Sequence, residues 1–131
     1  MNENTRSLIQ STFEASNKGC IHFGEVLGQL MSVQVESYQV DYRSGRITYF
    51  LPNGETLDLD FEKPEDGIAQ SFDGNAVRSA ILGAQQGTVM YPEFKHLSQA
   101  AGCIGYTVWI EGRHVAYYGR KGETHIEGFP D

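Results

Sequence analysis

The chain has 131 residues, 40 % hydrophobic and 21 % charged, which is the composition of one ordinary globular domain. Its 10 Lys and Arg against 17 Asp and Glu leave a formal charge of −7, so counterion release from a phosphate backbone offers it nothing and nucleic acid is not an expected partner. No apolar run reaches the roughly 20 residues of a membrane span, residues 1–20 contain polar and charged positions throughout, and Cys20 and Cys103 show no CxxC spacing; the expectation is a cytoplasmic protein with no membrane partner and two reduced, at least partly buried thiols.

Taken in order, the chain first predicts a helix capped by Thr5, with Leu8, Ile9, Thr12 and Phe13 at helical spacing and Gly19 just past its end. A second helix follows at about 23–32, with Phe23, Val26, Leu27 and Leu30 on one face. Residues 37–42 alternate, with Tyr38, Val40 and Tyr42 on one side. Two more strands, 47–51 and 56–61, flank Asn53-Gly54, a strong hairpin signal. Residues 37–61 therefore read as a three-stranded meander.

A polar connection over 62–71 leads into the same order again. Asp73 caps a helix carrying Ala76, Val77, Ala80 and Ile81; Gly87 ends it; Pro92 opens another that closes at Ala101-Gly102. Strands at 106–110, 115–118 and 124–127 complete a second meander. Residue 19 meets residue 87 on a shift of 68, and the same shift pairs Tyr38 with Tyr106, Val40 with Val108, Tyr49 with Tyr117, and Gly54-Glu55-Thr56 with Gly122-Glu123-Thr124. The fold expectation is α+β: a single domain over 1–131 built from two ααβββ units, about 5–61 and 73–129, with mainly antiparallel strands.

Chemistry-bearing residues concentrate in 122–127. On a strand, Glu123, His125 and Glu127 share one face, and two carboxylates flanking an imidazole suit a divalent metal or acid–base work. The competing reading is a solvated edge strand whose charges discourage edge pairing. Cys103, between glycines, is a candidate nucleophile if His125 or His96 reaches it; a small buried residue in a helix-to-strand turn is the more ordinary reading. The seven tyrosines and Trp109 are read first as core and cross-strand pairs, with a ligand-stacking wall or a subunit interface as alternatives. No phosphate loop, GxSxG, HExxH or zinc pairing is present.

Several strings stand together: Phe72-Asp73 with Ala76-Val77, Gln85-Gln86-Gly87, Tyr91-Pro92-Glu93-Phe94, Tyr117-Tyr118-Gly119, Gly122-Glu123, His125, Glu127 and Phe129-Pro130. With them the chain resembles the small bacterial YbcV-like family of unknown function, whose members are often labelled phage envelope proteins. The resemblance implies prophage-borne or accessory status; it implies no activity, catalytic residue or cofactor. The functional expectation is a non-enzymatic interaction or accessory module that forms a homo-oligomer. The alternative is a small metal-dependent or acid–base enzyme using Glu123, His125 and Glu127, with Cys103 as a further candidate. The cofactor and any other protein partner stay open.

Overall fold

The computed structural model describes residues 1–63 and 67–130. Residues 64–66 of the expected polar connection, and residue 131, lie outside the described residues. Among the described residues four helices and six strands follow in the order ααβββααβββ: α1 Glu3–Asn17, α2 Phe23–Ser32, β1 Ser37–Asp41, β2 Arg46–Phe50, β3 Thr56–Asp60, α3 Gly74–Gln85, α4 Tyr91–Ala100, β4 Cys103–Trp109, β5 His114–Gly119 and β6 Thr124–Gly128.

The helix ends follow from local chemistry. Asn2, not Thr5, caps α1: its side-chain oxygen accepts from Thr5 N at 2.8 Å, so Thr5 sits one turn inside the helix. Asp73 caps α3 as expected, accepting from Ala76 N at 3.1 Å. At His22, ahead of α2, the backbone N–H donates to the Glu25 carboxylate at 3.1 Å. Helices α1 and α3 stop alike. Gly19 and Gly87 take positive φ, +73° and +79°, and each turns the chain so that two carbonyls of the last turn are satisfied. The donors are Gly19 N to Ser16 O and Cys20 N to Ala15 O in one, Gly87 N to Ala84 O and Thr88 N to Gly83 O in the other.

The two meanders form one six-stranded antiparallel sheet in the order β3-β2-β1-β4-β5-β6. Its centre is the β1–β4 ladder, where Tyr38 faces Val108 and Val40 faces Tyr106. Strand β4 begins at Cys103, three residues before the expected start, through an irregularity between Cys103 and Gly105. Alternation could not show this because Gly102 and Gly105 interrupt it. Cys103 therefore belongs to a strand and not to a turn.

Strand alternation sends Tyr38, Val40, Ile47, Tyr49, Leu57, Tyr106, Val108, Val115 and Tyr117 to one face, where they join Ile9, Leu30, Val77, Ile81 and Phe94 of the helices in one core. Among the described residues no helix covers the other face of the sheet. Gln39, Asp58 and Asp60 are exposed there, as are Trp109 at 43 % and Ile126 at 62 %. Among the described residues no helix is long and apolar enough to cross a membrane.

Candidate functional site

Four inward tyrosines from four adjacent strands, Tyr49 of β2, Tyr38 of β1, Tyr106 of β4 and Tyr117 of β5, make a wall beneath the helices. The Tyr38 and Tyr49 rings lie 5.5 Å apart, as do those of Tyr106 and Tyr117. Phe94 of α4 sits edge-on to Tyr106 at 6.2 Å and 6.1 Å from Tyr117. Between this wall and the helices is a cavity of about 90 Å³, lined mainly by apolar and aromatic groups. That is ample for ordered water or a compact organic group. A broader groove of about 510 Å³ lies outside it and shares His22, Phe23, Ala84, Gln85, Phe129 and Pro130 with it. The Phe23 and Phe129 rings meet edge-to-face at 5.9 Å, and Phe129 is held by its N–H donating to Arg113 O at 3.0 Å.

The hydroxyls divide into two sets. Tyr106 donates to the Tyr91 oxygen at 2.7 Å, and Tyr42 shares a hydrogen bond with Ser98 Oγ at 2.8 Å. Tyr38, Tyr49 and Tyr117 line the cavity and are 4 %, 3 % and 6 % exposed, yet their hydroxyls have no hydrogen-bond partner among the described residues. Nor are these oxygens sealed in packed protein: among the described residues, Gln99 Nε2 is the side-chain polar atom that is both sealed and unbonded. Burial holds all three phenols well above the ordinary tyrosine range, so they stay protonated donors that also accept.

The strand-face trio on β6 is split. His125 Nε2 and Glu127 Oε2 lie 2.9 Å apart, and the imidazole sits 6.4 Å from the Tyr117 ring. Both face the helix side, and Glu127 reaches the cavity wall, while Ile126 faces outward. The edge-strand reading had the exposed side of β6 reversed. Glu123 is held apart in the β5–β6 turn, its Oε1 accepting from Lys121 N at 2.8 Å. Among the described residues no three His, Cys, Asp or Glu side chains gather to hold a metal ion.

Cys103 is fully buried and its thiol donates to Gly105 O at 3.2 Å; burial pushes it up to about 11, the opposite of an activated nucleophile. Cys20, expected to be partly buried, is exposed. Trp109 stacks on His114 at 6.4 Å on the far face of the sheet and takes no part in the cavity. Sequence reasoning missed His22, Phe23 and Phe129 as the mouth, because His22 and Phe23 open α2 while Phe129 follows β6, and no local spacing links the two.

The family described as Protein of unknown function (DUF1398) matches residues 10–127. The chain belongs to this family. The match takes in every element named above except the start of α1 and the last residue of β6. The uncharacterized proteins Mb2035 of Mycobacterium bovis and Rv2012 of Mycobacterium tuberculosis are 32 % identical to it over 66 residues, which is 49 % of this chain and 40 % of each relative. The matched stretch thus spans less than half the length of these curated relatives. Neither the family description nor the relatives' names assign an activity to the DUF1398 fold.

Proposed function

We propose that this DUF1398 protein is a binding module that holds a small, mostly apolar organic molecule between its helices and its sheet. The observation that carries this is a set of three phenol hydroxyls, on otherwise buried tyrosines, that line one cavity and have no hydrogen-bond partner among the described residues. Donors and acceptors that open onto a cavity are satisfied by whatever fills it. Three beside one space are accounted for by something that enters that space and bonds them. An accessory role of the kind implied by the YbcV-like resemblance is compatible with such a module. Ligand-observed NMR against a library of small aromatic and aliphatic compounds tests it. Binders are expected to shift the Tyr38, Tyr49 and Tyr117 ring signals, and Ala84→Phe, at the rim shared by cavity and groove, to abolish the shifts. A library in which no compound moves those signals would sink the reading.

We further infer that the fold is a single domain made by internal duplication, with the cavity astride the junction. Element order and the β1–β4 ladder support this: adding 68 to Tyr38 and subtracting 68 from Val108 turns one ladder pair into the other, Tyr106 with Val40. The wall supports it too, since Phe23 and Tyr91, Val26 and Phe94, Tyr38 and Tyr106, and Tyr49 and Tyr117 are all 68 apart and all line the cavity. The duplication gives a reason for one orphan hydroxyl. Tyr106 bonds Tyr91, but the residue corresponding to Tyr91 in the first unit is Phe23, so Tyr38 loses its partner.

A second reading, acid–base catalysis, draws on the His125–Glu127 pair at the cavity edge. It requires His125→Gln to remove a hydrolytic activity, for example on p-nitrophenyl acetate, while leaving cavity binding intact. Self-association through the open sheet face is proposed on the exposure of Trp109 and Ile126. A molar mass by light scattering that stays monomeric at every concentration would exclude it.

A further inference from the structure

We infer that the ligand of this cavity is a small organic ammonium ion, seated at the β5–β6 end against Tyr117 and Glu127. The inference rests on the binding reading above and adds the charge class of the ligand. Glu127 carries the formal charge of the cavity wall, and no Lys or Arg stands among the lining residues described. His125 engages one carboxylate oxygen, Oε2; the other, Oε1, has no partner among the described residues. An anion would meet that carboxylate with no Lys or Arg on the wall to offset it. A neutral guest would leave the free oxygen unsatisfied and partly stripped of water, which is costly for a charged group.

An ammonium ion meets each feature of that end. Its N–H groups donate to Glu127 Oε1 and to the free oxygen of Tyr117, and burial keeps this phenol protonated, so it remains a neutral acceptor. The rings of Tyr117, Phe94 and Tyr106, with neighbouring centroids 5.5–6.2 Å apart, supply negative faces for the positive head. The chain's formal charge of −7 attracts cations from solution.

The lysine and arginine beside the cavity are placed so as to leave this end free. Lys95 lies over the Phe61 and Tyr91 rings, 4.9 and 5.3 Å from their centroids, and donates to Asn17 Oδ1 at 2.7 Å. Its ammonium already occupies the ring faces on the side of β3. Arg113 lies over Phe129, 5.8 Å from the ring, out in the groove. His22, the lining side chain that can carry a positive charge, sits at the mouth as the α2 cap.

The test is a matched pair of probes, benzylammonium and benzyl alcohol, which share size and ring and differ in charge. Isothermal titration should show the ammonium binding about tenfold or more tighter, the worth of one well-placed ion pair with ring faces. Glu127→Gln should bring the two within about twofold, and Tyr117→Phe should weaken the ammonium several-fold while sparing the alcohol. Tyrosine ring shifts in both variants, matched to wild type, show that the cavity is intact. If the alcohol binds as tightly as the ammonium, or if only neutral library compounds shift the tyrosine signals, the charge assignment is overturned while the binding reading stands. If nothing shifts those signals, both fall.

Discussion

Tyr38 of β1 and Tyr42, one residue past its end, point into the same core, both nearly inaccessible, but among the described residues only Tyr42 has a partner for its hydroxyl. Removing that oxygen breaks a bond in a fully buried setting, so Tyr42→Phe should lower stability by about 1–1.5 kcal/mol in urea denaturation. Tyr38→Phe removes an oxygen that bonds nothing among the described residues and should fall within about 0.5 kcal/mol of wild type or above it. If Tyr38→Phe is the costlier of the two, the cavity already holds a partner for that hydroxyl. The cysteines differ in the same way. Cys20 is exposed, whereas Cys103 is sealed with its thiol donating to Gly105 O and pushed up to about 11. An aromatic disulfide reagent at neutral pH should therefore titrate one fast thiol per native chain and two after denaturation. Two fast thiols in the native protein would mean that the β4 entry opens readily.

At the scale of elements, turns and helix ends carry much of the specification, and the α4–β4 link is the tightest of them. Gly102 takes φ +86°, and a Cβ built there would stand 2.1 Å from Ser71 O, a backbone atom that cannot swing away. Gly102→Ala therefore combines left-handed strain with a clash and should cost more than about 2 kcal/mol, visible as a fall in Tm of several degrees. A neutral result would require the 71–72 backbone to move aside. Such positions explain what could be read in advance. Gly19, Gly54, Gly87, Gly102 and Gly122 all take positive φ, so glycine between periodic runs located the punctuation of the chain. Strict alternation then placed Tyr38, Val40 and Tyr42 on one side of the first strand. Sheet closure was not legible, because pairing β1 with β4 joins strands more than sixty residues apart and leaves no local mark. The candidate site was half legible. Period-2 alternation brought His125 and Glu127 together and suggested Glu123 with them, but the turn amide of Lys121 competes for that carboxylate and wins. Which face of β6 the helices cover depends on the whole sheet, and no residue of β6 reveals it.

At the scale of the molecule, the core contains an unusual load of ionisable groups that all favour the neutral form. Burial raises Tyr38, Tyr42, Tyr49, Tyr91, Tyr106 and Tyr117 above the ordinary phenol range, leaving Tyr118 as the remaining tyrosine of the seven. The folded chain therefore keeps these protons at a pH where the unfolded chain, with phenols near 10, has released them. Above that point the unfolded state binds fewer protons, so stability falls as pH rises; below it the contribution is constant. Each group adds a slope of up to about 1.4 kcal/mol per pH unit, and six acting together approach about 8 kcal/mol per unit. A domain with a net stability of about 5–15 kcal/mol cannot withstand that for long. Cys103, raised from 9.0 to about 11, steepens the same fall. The expected behaviour is an abrupt alkaline unfolding within one to two pH units above about 10, in which phenolate absorbance and loss of near-ultraviolet circular dichroism rise together. Below that transition few tyrosines should ionise. Gradual ionisation of most tyrosines with the dichroism intact would mean that the wall of the cavity is open to solvent in the native state. An ammonium ligand bound in that wall would then have no dry site to enter. The alkaline titration thus probes, without any ligand, the enclosure on which the binding reading depends.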